Sequence, residues 1–160
     1  MMTSVGLTTI MLFVLTADSD AEFLSRVENI RLVGSKEEAI PRVERDPEGK
    51  VVVLRLHRMQ LSADDFAVLG RLKTLRSLDL SYTNVTDAEL RKLSELPSLA
   101  GLNLTRTEVT SESIDTLMKL ASLRSLCLGS VAVTPESVAR LKKHFHDQDK
   151  RLSLGYSQRK

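Results

Sequence analysis

The sequence predicts an α/β protein of stacked strand–helix units: four full 24-residue rows, a final strand, and a parallel sheet. Three observations carry this. The chain repeats itself at a period of 24 residues. Each row opens on an alternating L-x-L segment, which puts its leucines on one face of a strand. Each row then changes to apolar spacing at i, i+3 and i+6, behind a helix start signal. One strand with one helix cannot bury its own apolar face, so the rows must stack.

The rows are "VVVLRLHRMQLSADDFAVLGRLKT" (Val51–Thr74), "LRSLDLSYTNVTDAELRKLSELPS" (Leu75–Ser98), "LAGLNLTRTEVTSESIDTLMKLAS" (Leu99–Ser122) and "LRSLCLGSVAVTPESVARLKKHF" (Leu123–Phe145). A fragment, "RLSLGY" (Arg151–Tyr156), restarts the pattern, read as two residues late. The inward columns are Leu54, Leu78, Leu102, Leu126 and Leu56, Leu80, Leu104, Leu128. Leu61, Val85, Val109 and Val133 form a third. On the helices follow Phe66, Leu90, Ile114, Val138 and then Leu69, Leu93, Leu117, Leu141.

Ser62, Thr86, Thr110 and Thr134 stand where helix N-caps belong. Thr86 with Glu89 spells a capping box, and Pro135 suits the first helical position. Helices are expected near 63–72, 87–96, 111–120 and 135–145. In the last, His144 occupies the column of Leu72, Leu96 and Leu120, so Phe145 is expected to fill the core and His144 to turn outward. The core is aliphatic, since aromatics are 4% of the chain and tryptophan is absent.

The ends of such a stack need covers. Phe23, Val27 and Ile30 at i, i+4, i+7 predict an amphipathic helix around 20–32. "DPEG" (Asp46–Gly49) predicts a type I turn, and the strand of Val43 is expected to pair antiparallel with the first row and cover the sheet edge. Upstream, "VGLTTIMLFVLTA" (Val5–Ala17) is uncharged, too short to span a bilayer comfortably, and as long as the apolar region of a signal peptide. Ser19-Asp20-Ala21 offers small residues for cleavage after Ala21, but no Lys or Arg precedes Arg26. An exported and a cytoplasmic protein remain equally compatible. The organisation is therefore a signal peptide or apolar segment over 1–21, a cap over 22–50, rows over 51–156 and a polar tail over 157–160.

The pattern L-x-x-L-x-L-x-x-(N/C/T)-x-L resembles the leucine-rich-repeat family, in particular bacterial repeats with T-x-V-T-D segments and the cysteine-containing repeats of ubiquitin-ligase adaptors. The resemblance spans Val51 to about Gly155. It implies a right-handed solenoid with the strands on the concave side, and a non-catalytic module that binds a protein or peptide there. An adaptor subunit of an enzyme complex, a ubiquitin-ligase-like substrate binder or a receptor-like ectodomain is the alternative. One departure is the family's Asn/Cys position, which here holds Met59, Thr83, Thr107 and Val131. Thr83 and Thr107 keep a hydroxyl donor; Met59 and Val131 do not. Asn84 lies one place off this column, aligned with Glu108, and is not the ladder residue.

The outward residues of the strands are the candidate partner-binding set. The central column is read as Arg55, Asp79, Asn103, Cys127 and Ser153, flanked by His57, Ser81 and Thr105. Just beyond the strands lie Arg58, Tyr82 and Arg106, the best anchors because Tyr and Arg are enriched in interface hot spots. These positions are expected to vary at little cost to the fold.

Other chemistries fare worse. Net charge is +2, too small to imply a polyanion partner; from Arg140 to Lys160 there are seven Lys/Arg and two Asp/Glu, read as a solvated basic end. Nucleic acid is disfavoured because aromatic residues do not interleave with these charges. There is no glycine-rich phosphate loop, G-x-S-x-G or H-E-x-x-H. Cys127 excludes an internal disulfide by being alone. It is placed two rows and roughly 10 Å from His57, too far for a nucleophile and its base. His144 and His146 at i, i+2 point to different helix faces, so no metal is expected, nor any cofactor. Glu37-Glu38 and Asp64-Asp65 are read as solvated. A monomer without an integral membrane span is expected.

Overall fold

The computed structural model describes residues 20–27 and 42–158. The apolar segment 1–19, the second half of the expected N-terminal helix with Ile30, and Glu37-Glu38 lie outside the described residues. Residues 20–27 form helix α1. The rest is β1 (Arg42–Arg45), β2 (Val51–Arg55), α2 (Ala63–Arg71), β3 (Ser77–Asp79), α3 (Asp87–Lys92), β4 (Gly101–Asn103), a 3-10 turn (Ser111–Ser113) leading into α4 (Ile114–Met118), β5 (Ser125–Val131), α5 (Pro135–Asp147) and β6 (Ser153–Gln158).

The six strands form one sheet in sequence order. β2 to β6 run parallel, and the 24-residue period sets the register: Leu54, Leu78, Leu102 and Leu126 are successive partners. β1 is antiparallel to β2, with Val43 opposite Leu54. Its hairpin closes through the Asp46–Gly49 turn, where Gly49 N–H reaches the Asp46 carbonyl at 2.9 Å and Gly49 takes a φ of 81°. The two inward strand columns are buried: Leu56, Leu80, Leu104 and Leu128 are all 0% exposed. The helix leucines close over them from the other side, with Leu69, Leu90, Leu93, Leu117 and Leu141 equally buried.

The helix starts follow the sequence. Ser62 and Thr86 form capping boxes with Asp65 and Glu89, Thr110 caps the 3-10 turn, and Thr134 caps α5 ahead of Pro135. The two middle helices are shorter than expected. Beyond Lys92, Leu93, Ser94 and Leu96 donate to carbonyls three residues back. This tight winding ends before Pro97, which disfavours a helical residue in front of it. The helix of the third row starts as a 3-10 turn, and Ser113 in that turn and Thr116 in α4 are weak helix formers.

Two readings of the last row need correction. α5 continues to Asp147, and the last strand pairs Ser125 with Ser153, Leu126 with Leu154 and Cys127 with Gly155. The fifth strand thus restarts four residues late, not two, which is about one extra helical turn. Gly155, not Ser153, continues the central column, and β6 runs on through Ser157 to Gln158. Phe145 fills the core at 1% exposure, as expected. His144 does not turn fully outward: it is half-buried, 3.2 Å from the Met118 carbonyl.

Side chains also tie row to row. Asn84, set aside in the sequence, both accepts from and donates to the Leu61 backbone at 2.8 Å. Thr83 and Thr107 donate within their own turns to Leu80 and Leu104 carbonyls, at 2.6 and 2.7 Å. Asp65, read as solvated, is 6% exposed and ion-paired with Arg26 of α1. Burial works to raise its pKa, but hydrogen bonds from Arg26 and Ser62 hold it below the usual aspartate range.

Asp87 is the strongest polar clamp. It accepts from Thr110 N–H (2.9 Å), from the Thr110 hydroxyl (2.6 Å) and from the Ser113 hydroxyl. Burial opposes its ionisation, yet the Ser113 and Thr110 hydrogen bonds outweigh it and lower its pKa. A lowered carboxyl pKa means stability present above the unfolded-state pKa and lost as pH falls through the folded one. Asp87→Asn should cost about 1–2 kcal/mol at neutral pH. The gap to wild type should close on acidification through the aspartate range, as urea unfolding at stepped pH will show. A gap that is constant with pH would contradict the clamp.

Gly70 has a tighter constraint. A Cβ there would sit 2.6 Å from the Lys92 carbonyl oxygen. Alanine in a helix usually stabilises relative to glycine by about 1 kcal/mol. Here the α2–α3 approach reverses the sign, and Gly70→Ala should destabilise by about 1–3 kcal/mol in urea unfolding.

Candidate functional site

The outward face of the sheet ends in an unusual backbone. Arg58, Tyr82 and Arg106 occupy the same place in successive rows, with φ of 59°, 58° and 55°. This left-handed region costs a bulky L-residue roughly 1 kcal/mol or more. The turns are held across rows: Arg58, Tyr82 and Arg106 N–H donate to Ser81, Thr105 and Gly129 carbonyls at 3.0, 2.8 and 2.7 Å. The side chains therefore stack at the strand spacing. Arg58 and Arg106 lie over the Tyr82 ring, their guanidinium carbons 5.1 and 5.4 Å from its centre. His57 meets the same ring edge-on at 5.0 Å. Tyr82 is 38% exposed, and no other large hydrophobic residue among those described is as open.

Behind the stack runs a hydrogen-bonded chain. Asp79 accepts from both the Ser81 N–H (2.9 Å) and the Ser81 hydroxyl (2.6 Å). The His57 Nδ1 lies 2.8 Å from that same hydroxyl oxygen. A hydroxyl has one proton, and here it goes to Asp79, so Nδ1 must carry a proton and donate to Ser81. His57 therefore does not draw a proton from Ser81, which a base activating a nucleophile must do. Ser81 is moreover 3% exposed.

Asp79 and Asn103 have a shared structural job that the sequence reading missed. Each carboxyl or amide oxygen accepts the N–H two residues on, Ser81 at 2.9 Å and Thr105 at 3.1 Å. These are Asx turns, and they lead into the left-handed Tyr82 and Arg106. The two positions are not free to vary at little cost. A signal was present in the sequence, namely Asp and Asn recurring as the last residue of the strand, three positions before Tyr82 and Arg106. In the fourth row the Cys127 side chain has no oxygen to offer, and β5 runs on to Val131 beside β6.

Cys127 is a half-buried free thiol, with Gly155 beside it. It is farther from His57 than expected, since β3 and β4 both lie between β2 and β5. The separation is three strand spacings, about 14 Å.

Charge on this face is lopsided. β1 places Arg42 beside Arg55 and Glu44 beside Val53. Glu44 is taken by Arg42 at 2.8 Å, and Asp79 by Ser81. Arg55, Arg58 and Arg106 are exposed and make no ion pair among the described residues. A concavity of about 370 Å³ lies between α1 and α2. Both arginines of its lining are ion-paired, Arg26 with Asp65 and Arg71 with Asp20, and Glu22 and Asp64 also border it, so it reads as the joint that seats α1. Among the described residues no cluster of His, Cys, Asp and Glu is arranged to hold a metal, and no helix is long and apolar enough to cross a membrane.

No family model matches the chain, and no curated protein matches it significantly. Among solved structures it is similar to leiomodin-1 actin-binding site 2 (ABS2). The TM-score is 0.56, covering 85% of this chain and 78% of that one at 16% sequence identity. The likeness is one of fold.

Proposed function

We propose that the chain is a leucine-rich-repeat solenoid that works as a non-catalytic protein-interaction module, docking a protein or peptide on the strand face. The observation that carries this is the Arg58–Tyr82–Arg106 stack. Three bulky residues sit where glycine or asparagine would be less strained, and together they present an open aromatic ring flanked by guanidinium groups. Fold stability alone does not favour such a choice; recognition does, since Tyr and Arg are the anchors of interface hot spots. The direction of the Ser81 proton supports a non-catalytic role. The fold neighbour is by its name an actin-binding site, which agrees with binding of a protein partner.

The test is comparative capture from the native source with wild-type protein and with a Tyr82→Ala/Arg106→Glu variant. A partner held by wild type and lost by the variant, with far-UV circular dichroism unchanged, is the expected result. Equal recovery of every partner by both proteins would overturn the assignment to this face. Asp79 is left intact because its Asx turn belongs to the fold.

A further inference from the structure

Among the described residues, the strand face carries three exposed guanidinium groups, Arg55, Arg58 and Arg106, and its carboxylates Glu44 and Asp79 are already occupied. This inference rests on the reading of the face as a docking site and names the partner's chemistry. We infer that the Arg58–Tyr82–Arg106 stack and Arg55 bind an acidic, extended segment of a protein partner, with its carboxylates on the guanidinium groups and its chain across the Tyr82 ring.

Charge complementarity argues for this occupant. Among the described residues of the face, Arg42, Arg55, Arg58 and Arg106 oppose Glu44 and Asp79. Glu44 is spent on Arg42, and Asp79 turns back to Ser81. Tyr82 holds two cations in place from neighbouring rows. The guanidinium planes are thereby ordered before a ligand arrives, which lowers the entropy lost on binding. Their N–H edges remain able to make paired bonds to carboxylates. The spacing also suits an extended chain. Arg58 and Arg106 are two strand spacings apart, about 9.5 Å, and carboxylates at i and i+2 of an extended peptide lie about 6.6 Å apart on one side. Side-chain reach covers the difference. A nucleic acid is less well matched, because one exposed ring offers a single stacking platform.

The probe is a fluorescein-labelled twelve-residue peptide of alternating Glu and Ser, compared with the same peptide carrying Gln for Glu. Binding is followed by anisotropy on the intact protein at low and high salt. The Glu peptide should bind about tenfold more tightly than the Gln peptide, and added salt should weaken it. Arg58→Gln/Arg106→Gln should abolish that tenfold advantage, and Tyr82→Ala should reduce it. Lys142→Gln/Lys143→Gln, which removes the same charge from α5, should leave it unchanged. Equal binding of both peptides overturns the inference. So does a loss caused equally by the α5 variant, which would mark a general attraction to the basic end. Tighter binding of a twelve-nucleotide single-stranded RNA than of the Glu peptide would also overturn it. If the Glu peptide fails while Tyr82→Ala/Arg106→Glu still loses a captured partner, the docking face stands and only the acidic class falls.

Discussion

Leu104→Ala is expected to destabilise the protein by about 3–5 kcal/mol, the largest loss for a single truncation here. Leu104 is 0% exposed and belongs to a column whose members in adjacent rows, Leu80 and Leu128, are equally buried. Its N–H donates to the Cys127 carbonyl at 2.9 Å, so the backbone cannot shift to fill a void without breaking a cross-row bond. A cavity bounded on both sides by fixed rows relaxes little, which puts the cost at the high end of such substitutions. Leu154→Ala makes the comparison. Leu154 continues the neighbouring column in the last strand, where it is only half-buried. Its truncation should cost roughly half as much, since less apolar area returns to water. Urea unfolding of both variants checks this. Equal losses would mean that row position does not set the packing.

Tyr82→Ala should lower affinity for a partner about thirtyfold or more, a hot-spot loss of about 2 kcal/mol. It should also destabilise the fold modestly, by about 1–2 kcal/mol, because favourable contacts are lost and no strain is relieved. Removing the ring removes two cation–π contacts, each about 0.5–1 kcal/mol at an exposed site. The left-handed backbone cost stays, since alanine at φ 58° is also strained. Tyr82→Gly relieves that strain and should be more stable than Tyr82→Ala, while binding equally poorly. A pair of variants with equal affinity loss but different stability separates recognition from folding. Titration calorimetry with the captured partner, alongside thermal unfolding, measures both.

How much was legible depended on the range of each interaction. The leucine columns were readable because the 24-residue period converts sequence positions directly into strand partners. The N-caps were readable because Ser62, Thr86, Thr110 and Thr134 act within their own turns. The last strand was misplaced because one extra turn of α5 moved it, and nothing local to "RLSLGY" records that length. Asn84 was missed because its partner, the Leu61 backbone, lies in the preceding row. Asp65 was read as solvated for the same reason, its ion pair with Arg26 being formed across elements. In the candidate site, Arg58, Tyr82 and Arg106 were singled out by residue type. Their left-handed backbone was not foreseen, because arginine and tyrosine carry no propensity for it. Asp79 and Asn103 changed role: they shape the turns that present the stack.

Photo-crosslinking tests the central claim most directly. A photoreactive residue is placed at Thr105, on the strand face beside the stack, or at Lys142, on the exposed side of α5. The partner captured by wild type is then irradiated with each protein. Adducts from Thr105 and none from Lys142 are the result this account predicts. Adducts from Lys142 with none from Thr105 would place the partner on the helices and contradict it.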